Sequence, residues 1–171
     1  IGAEGESVNV IPRPEKMELR EGIFNIGPKT AIICDPRARQ EAEYLRGLLT
    51  TPTGFELPIR DVASAETIGS IALRIVSGKQ GLGKEGYELK VFADRVLIEA
   101  PTGAGVFYAC QTLRQLLPAA IESECLVGGV AWKVPCVEIE DRPRYEWRGL
   151  MLDPGHNFLS VEFTKRYIDV M

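Results

Sequence analysis

Apolar side chains recur every three or four positions in two segments of the chain, and this spacing predicts two amphipathic helices. The first follows Asp35-Pro36, a natural N-cap with proline at the first helical position, and TPTGF closes it. The second is GAGVFYACQTLRQLLP (103–118), which Pro118 ends. The predicted core stripes are Ala38, Ala42, Leu45, Leu48 and Leu49 in the first helix, and Val106, Cys110, Leu113, Leu116 and Leu117 in the second.

Alternating or short apolar runs elsewhere predict strands. The clearest is a hairpin in YELKVFADRVLIEA (87–100), which turns at Ala93-Asp94. Further strands are predicted in NVIPRP (9–14, at a sheet edge), GIFNIGPKTAIIC (22–34, two short strands), SIALRIV (70–76) and VPCVEIED (134–141). Because strands outnumber helices and occur in hairpins, we expect an α+β fold, with a mainly antiparallel sheet and both helices on one face.

The pattern changes at a charged, proline-marked joint, Asp141-Arg142-Pro143. The run WRGLMLD (147–153) that follows is continuously apolar, as buried parallel strands are. A Pro-Gly loop comes next, and then a helix capped by Ser160, whose apolar face holds Phe163, Tyr167, Val170 and Met171. This order predicts the first β/α unit of a TIM barrel, truncated in its helix. We therefore divide the chain into an α+β domain, 1–141, and a barrel start, 142–171.

Composition narrows the class of protein. The 171 residues are 45% hydrophobic and 26% charged, as in ordinary globular proteins. The net charge of −4 argues against binding to nucleic acid or to an anionic membrane. No apolar run approaches the roughly 20 residues that span a bilayer. The chain starts at Ile1 without a signal-peptide pattern, so a targeting signal of a precursor is unreadable.

The four cysteines favour buried free thiols. They lack any C-x-x-C spacing and have one histidine to join them, so we expect no metal site. A Cys125–Cys136 disulfide is the alternative.

Motifs that carry chemistry are few in the body of the chain. GLGKEG (81–86) matches G-x-G-x-x-G, but a strand pattern follows it where a dinucleotide site needs a helix, so we predict a turn. No G-x-S-x-G elbow is present, and the only adjacent acidic pair is Glu140-Asp141 in the joint. The body therefore predicts no catalytic constellation and no cofactor.

Three residues near the joint are candidates for a site. Arg148 starts an apolar strand, where an unpaired guanidinium is costly. The structural interpretation, which we favour, is a salt bridge at the barrel floor or a contact between domains; the functional one is a fork of donors aimed at a ligand. Asp153 ends the predicted strand, where barrel enzymes keep site groups, and His156 lies in the loop beyond. Either of these two could instead cap the loop or the following helix.

Five pieces of the chain together resemble the family-20 glycoside hydrolases, the β-N-acetylhexosaminidases. The pieces are VIPRP, EGYELKV, IEAPTGAGVFYACQTLRQLL, IEDRPRYEWRG and LMLD, in the family's order. The resemblance implies that residues 1–141 are the family's non-catalytic N-terminal domain. Related α+β domains precede the barrels of other glycosidases, such as O-GlcNAcases and α-glucuronidases, but the joint followed by WRGLMLD favours family 20.

The resemblance implies a retaining enzyme that releases terminal β-linked GlcNAc or GalNAc, with the substrate's acetamido oxygen as nucleophile. The family's catalytic pair is an adjacent Asp-Glu well inside the barrel, and this chain contains no Asp-Glu dipeptide. We therefore expect the parent protein to be an enzyme and this chain, which holds no catalytic residue, to be inactive. It also implies an extracytoplasmic location, periplasmic or secreted. We further expect no cofactor, and a domain whose sheet packs on its own barrel.

Among site residues, the resemblance assigns substrate binding to Arg148, the counterpart of the arginine in the family's WRG motif. It implies hydrogen bonds from Arg148 to ring hydroxyls of the terminal sugar. Asp153 and His156 are weaker substrate-binding candidates. Relatives usually carry Arg-His-Phe where this chain has His156-Asn157-Phe158, so the role of that pair is not carried over.

The rival class is a free-standing carbohydrate-binding or interaction module. Such a module predicts a coherent exposed aromatic patch and a well-capped last helix. Here the aromatic residues are few and we expect most of them on core stripes, and the last helix stops at Met171 without a Gly or Asn cap.

Overall fold

A computed structural model describes residues 8–61, 68–155 and 158–171 of the chain. It contains a seven-stranded sheet, two helices packed on that sheet, and a third helix outside the core. The strands are β1 (Lys16–Asn25), β2 (Ala31–Cys34), β3 (Ile59–Asp61), β4 (Ser70–Ile75), β5 (Tyr87–Val91), β6 (Arg95–Ala100) and β7 (Lys133–Asp141). The helices are α1 (Arg39–Thr53), α2 (Gly103–Leu116) and α3 (Val161–Val170).

The sheet is mixed, in the order β1-β7-β5-β6-β4-β2-β3. The pairs β1/β7, β7/β5 and β5/β6 are antiparallel, whereas β6/β4, β4/β2 and β2/β3 are parallel. The expectation of a mainly antiparallel sheet is therefore wrong for half of the pairings. The parallel half has its own signature, since β2 (AIIC) is buried along its whole length and β4 over its first four residues.

Helix α1 begins after a short 3₁₀ turn at Pro36–Ala38, where Asp35 accepts a hydrogen bond from the Arg37 amide at 2.9 Å. The predicted terminator TPTGF ends the helix only at its glycine, and Pro52 lies within the last turn. Gly54, with φ 72°, adopts the left-handed conformation that closes many helices.

The hydrophobic core lies between the two helices and one face of the sheet. Both predicted stripes point into it, and of their ten residues all but Leu48 are buried. The hairpin of β5 and β6 and its turn are confirmed. Their buried residues alternate with half-exposed ones, so the other face of the sheet is open.

Helix α2 begins at a close approach of two backbones. Thr102 caps the helix by accepting from the Gly105 amide at 3.4 Å. A Cβ on Gly105 would lie 2.3 Å from the carbonyl oxygen of Gly86 and 2.8 Å from the Ala100 Cβ. The position therefore admits no side chain without a backbone shift.

The predicted edge strand at residues 9–14 is not a strand. Pro12 and Pro14 have no backbone N–H to donate to a ladder. The side chain of Gln115 serves the segment instead: it accepts from the Ile11 amide at 2.8 Å and donates to the Ile11 carbonyl at 2.9 Å.

Beyond β7 the chain leaves the core. The predicted barrel strand WRGLMLD (147–153) has no strand conformation, and Trp147 and Met151 are about nine-tenths exposed (92% and 88%). A strand needs a pairing neighbour, and the described residues offer none here. The following helix is confirmed: Ser160 caps α3 through the Phe163 amide at 3.1 Å. No residue of α3 is buried.

No described helix is long and apolar enough to cross a membrane.

Candidate functional site

Arg148 lies against the α+β domain. Its guanidinium donates two hydrogen bonds of 3.0 Å to the carboxylate of Glu85, one of 2.9 Å to the Tyr108 hydroxyl and one of 2.6 Å to the Tyr145 carbonyl. The guanidinium carbon also lies 5.7 Å from the centre of the Tyr108 ring. A bidentate fork on a carboxylate is the geometry for which arginine is suited. In this structure both terminal nitrogens of Arg148 donate to the Glu85 carboxylate.

The Glu85–Arg148 pair is electrostatically coupled at the surface. Hydrogen bonds from Arg148 lower the pKa of the Glu85 carboxyl, and hydrogen bonds to Glu85 and Tyr108 raise the pKa of Arg148. About a third of each side chain is exposed, so solvent screens the attraction and the pair contributes little net stability. Its main effect is to fix where Arg148 points.

Asp153 serves its own loop in this structure. Its Oδ1 accepts a hydrogen bond from the Gly155 amide at 2.8 Å, and the residue is exposed. This is the loop-capping alternative. Among the described contacts, none joins Asp153 to Arg148. His156 and Asn157 lie outside the described residues.

A cavity of about 1200 Å³ separates the N-terminal segment from the joint. We call it the joint cavity; its walls are the N-terminal segment (residues 10–15), one side of α2, residues 141–145 and Arg148, with Glu85 and Tyr87. Four of the five pieces by which the chain resembles family 20 contribute residues to these walls. Distant parts of the sequence therefore converge on one place.

A buried tyrosine fixes the floor of the joint cavity. The Tyr87 hydroxyl lies 2.5 Å from the Thr112 hydroxyl and 3.4 Å from Oδ2 of Asp141, and the side chain is 3% exposed. Burial raises the pKa of Tyr87 well above its ordinary value. The other oxygen of Asp141 accepts from the Glu15 amide at 3.1 Å. The network ties β5, α2 and β7 to the N-terminal segment.

The glycine loop GLGKEG holds the joint, a role that its sequence did not predict. The loop is a turn, as expected: a 3₁₀ turn at Gln80–Leu82 leads into β5 and no helix follows the glycines. Arg142 donates to the Gly81 carbonyl at 2.7 Å and to Glu15 at 3.0 Å. Through Gly81 and Glu85, the loop thus binds Arg142 of the joint and Arg148 beyond it. These partners lie about 60 residues away along the chain, and no local pattern reveals such contacts.

An aromatic cluster lies on the outer surface of the helices. The rings of Tyr44 and Phe107 are 5.1 Å apart and those of Phe107 and Tyr108 are 5.7 Å apart. Gln111 donates to the Tyr44 hydroxyl at 2.7 Å. The expectation that most aromatic residues fall on core stripes is wrong. Among the described residues, the buried aromatic side chains are Phe24, Tyr87 and Trp132.

The cysteines are all free thiols. Cys34, Cys110 and Cys136 are buried, and Cys125 is exposed, so the alternative Cys125–Cys136 disulfide is not formed. Burial raises the pKa of Cys110 to about 12, which keeps the thiol protonated and unreactive. No group of three metal-ligating side chains lies close together in the described part of the chain.

The family is established by comparison with known proteins. Residues 7–142 match the family model described as "Glycosyl hydrolase family 20, domain 2". The chain belongs to glycosyl hydrolase family 20, and what it carries is the domain that this model describes.

The relatives are hexosaminidases. The chain is 35% identical over 171 residues to "Beta-hexosaminidase" of Porphyromonas gingivalis, covering 97% of this chain and 21% of that protein. It is 32% identical over 168 residues to "Beta-N-acetylhexosaminidase" of Cellulomonas fimi, covering 96% of this chain and 32% of that protein. The chain thus spans between a fifth and a third of these proteins.

The fold has a solved counterpart. The structure of the family-20 β-N-acetylhexosaminidase from Streptomyces coelicolor superimposes with a TM-score of 0.83 at 42% identity, covering 94% of this chain and 32% of that one. The Streptomyces plicatus N-acetyl-β-hexosaminidase, solved with Thio-NAglucal, gives a TM-score of 0.82 at 40% identity, with 94% and 31% covered.

Proposed function

We propose that this chain is the accessory domain (1–141) and the beginning of the catalytic barrel (142–171) of a retaining β-N-acetylhexosaminidase. The observation that carries the proposal is the extent of the similarity. The family model ends at residue 142, yet similarity to whole hexosaminidases covers 97% of the chain and so continues through the joint. The full-length protein then releases terminal β-linked GlcNAc or GalNAc outside the cytoplasm.

The proposed reaction is substrate-assisted. The acetamido oxygen of the bound sugar attacks its own anomeric carbon as the leaving group departs, and water then opens the oxazolinium intermediate. An Asp that orients the acetamido group and a Glu that acts as acid and base are required. With no Asp-Glu dipeptide in its sequence, this chain leaves both to the rest of the protein and is itself inactive.

The side that packs on the catalytic barrel is, in this proposal, the helix layer and not the sheet. The open face of the sheet carries charged side chains that are already paired; Lys79 lies 2.7 Å from both Glu88 and Glu99. Further pairs on this face are Lys16–Glu140, Arg20–Glu138 and Lys90–Glu88. Burying such a ladder would cost desolvation without new partners.

The helix layer has the opposite character. The aromatic cluster is partly exposed there (39% for Tyr44 and 38% for Phe107), and the exposed segment after the joint lies against this layer through the contact of Arg148 with Tyr108. Aromatic surface next to unburied apolar side chains is typical of an interface. These observations favour the helix layer as the barrel-facing side.

A chromogenic β-GlcNAc glycoside tests the proposal. We expect the full-length gene product to release the chromophore and the 171-residue chain to show only the buffer rate. Turnover by the chain alone would refute its proposed inactivity. No turnover by the full-length protein on GlcNAc or GalNAc glycosides would refute the activity.

A second candidate function, carbohydrate binding by the chain itself, is favoured by the aromatic cluster, since exposed rings stack on sugars. Titration of the chain with chitooligosaccharides separates the two. Heat that saturates in the wild type and is lost in Phe107→Ala would favour the binding module. No heat would favour an interface.

A further inference from the structure

The walls of the joint cavity are held in place by contacts already described. Gln115 holds the N-terminal segment, Asp141 binds the Glu15 amide, and Arg142 links Glu15 to the glycine loop. None of these contacts depends on a ligand. The cavity is therefore a preformed recess between two segments of the chain.

The charge of this recess differs from that of the chain. Four arginines but only three carboxylates line it, although the whole chain has a net charge of −4. Arg142 is paired with Glu15 and Arg148 with Glu85. For Arg13 and Arg144, by contrast, no ion pair or hydrogen bond is formed with any part of the chain that the structure describes. Among the described residues, Arg13 in the N-terminal segment and Arg144 just beyond the joint thus have no anionic partner.

We propose that a carboxylate-bearing segment of the catalytic barrel inserts into the joint cavity, where Arg144 and Arg13 bind it. This rests on the proposed function, because the occupant belongs to the part of a hexosaminidase that this chain lacks. About two thirds of the S. coelicolor structure lies outside the matched region. Arg144 is the principal anchor, since it directly follows the joint and precedes the exposed Tyr145 and Trp147.

The chemistry of the recess favours this occupant. A neutral sugar does not need the charge of Arg13 and Arg144. A carboxylate, by contrast, accepts two parallel hydrogen bonds from one guanidinium. A segment covalently linked through the joint also binds at a high effective concentration, so two charged contacts are enough to hold it. Docking would bury Tyr145 and Trp147, whose side chains are 68% and 92% exposed in this chain.

Cleavage by chymotrypsin after Tyr145 and Trp147 measures this docking. In the full-length gene product we expect slow cleavage, accelerated about tenfold or more by Arg144→Glu because the inserted carboxylate would then be repelled. Arg13→Glu should act in the same direction, and Arg144→Lys should lie between. The matched control is Arg60→Glu on β3, the opposite edge of the sheet, which should stay within about twofold of wild type.

The same substitutions in the 171-residue chain separate docking from damage to the domain. There the cleavage rate and the melting temperature should be nearly unchanged, because no carboxylate occupies the recess. Full-length Arg144→Glu and Arg13→Glu variants cleaved at the wild-type rate would overturn the proposal. A loss of stability in the 171-residue chain as large as that in the full-length protein would also overturn it, because the arginines would then be structural. A short-chain dimer abolished by Arg144→Glu would identify a second copy as the occupant and would also overturn it.

Activity distinguishes this proposal from the one on which it rests. If the wild-type full-length protein hydrolyses β-GlcNAc glycosides but its cleavage is insensitive to Arg144, only the docking fails. If it hydrolyses none, the proposed function fails, and the docking proposal that rests on it fails with it.

Discussion

The side chain of Gln115 pairs with both backbone groups of Ile11, 104 residues earlier, much as a neighbouring strand would. This contact replaces a β ladder in a segment whose prolines cannot form one. It joins the N-terminal segment to α2 and shapes one wall of the joint cavity.

Gln115→Ala should destabilise the chain by about 1 kcal/mol, since two hydrogen bonds are lost at a largely exposed site. For a chain of this size that corresponds to a fall in melting temperature of roughly 2–4 °C. Urea unfolding measures it. Gln40→Ala, at an exposed position of α1 where no hydrogen bond is formed with the described residues, is the control and should change stability by a few tenths of a kcal/mol at most. Equal effects of the two substitutions would contradict the pairing.

Alanine substitutions at two helical glycines should change the stability of the fold in opposite directions. Gly105→Ala forces a Cβ to within 2.3 Å of the Gly86 carbonyl oxygen, so we expect a loss of about 1–3 kcal/mol. Gly47→Ala in α1 meets nothing within 4 Å and should gain about 0.5–1 kcal/mol from helix propensity. Thermal unfolding of both variants checks the pair. Stability retained in Gly105→Ala would show that the two backbones do not approach so closely.

The buried hydroxyl of Tyr87 predicts sensitivity to high pH. Burial raises the pKa of Tyr87 in the folded state, whereas the unfolded side chain titrates near pH 10, at about the ordinary value. The corresponding stability is present below about pH 10 and is lost as the pH rises toward the folded-state pKa. We expect Tyr87→Phe to be destabilised by about 1 kcal/mol at neutral pH but to lose less than the wild type at alkaline pH. An identical alkaline profile in both proteins would be inconsistent with a buried phenol.

The pairing of Glu85 with Arg148 predicts a change in folding stability at acid pH. Its folded-state pKa is lowered by Arg148, so its contribution is present above the unfolded pKa of roughly 4.3 and is lost as the pH falls through the lower folded value. The stability difference between wild type and Glu85→Gln should therefore shrink below about pH 4. The control substitution is Glu21→Gln, at an exposed carboxyl for which the described residues provide no ion pair. A difference between wild type and Glu85→Gln that stays constant with pH would contradict the pairing.

Substitution of Arg148 in the full-length enzyme tests the expected contact between this residue and the sugar. If Arg148 binds sugar hydroxyls in the full-length enzyme, Arg148→Lys should lower kcat/KM about tenfold to a hundredfold, the value of one or two charged hydrogen bonds. Glu85→Gln should then leave kcat/KM nearly unchanged. Equal losses in both variants would instead assign Arg148 to the contact between the domain and the joint.

Local periodicity was enough to predict much of this fold. The stripes headed by Ala38 and Val106, the hairpin at Ala93-Asp94 and the Ser160 cap depend on neighbours within a few residues, and all are confirmed. The parallel pairing of β2 and β4 depends on a partner more than 35 residues away. No short-range pattern encodes it, so the sheet was expected to be mainly antiparallel.

The candidate site was less predictable for the same reason. Arg148 stands out in sequence because it interrupts an apolar run, but its partners Glu85 and Tyr108 lie 63 and 40 residues away. The glycine loop was correctly assigned as a turn, yet its role in binding Arg142 appears only in the folded chain. Residues 147–153 have no strand conformation, because the described residues offer no neighbouring strand there.

The central claim is that this chain serves a retaining hexosaminidase without contributing its catalytic groups. Proton NMR of the first sugar released from a β-GlcNAc glycoside by the full-length gene product tests it most directly, with the 171-residue chain as the blank. We predict the β anomer as the first product of the full-length protein and no product from the chain. The α anomer as first product, or sugar released by the chain alone, would contradict the account.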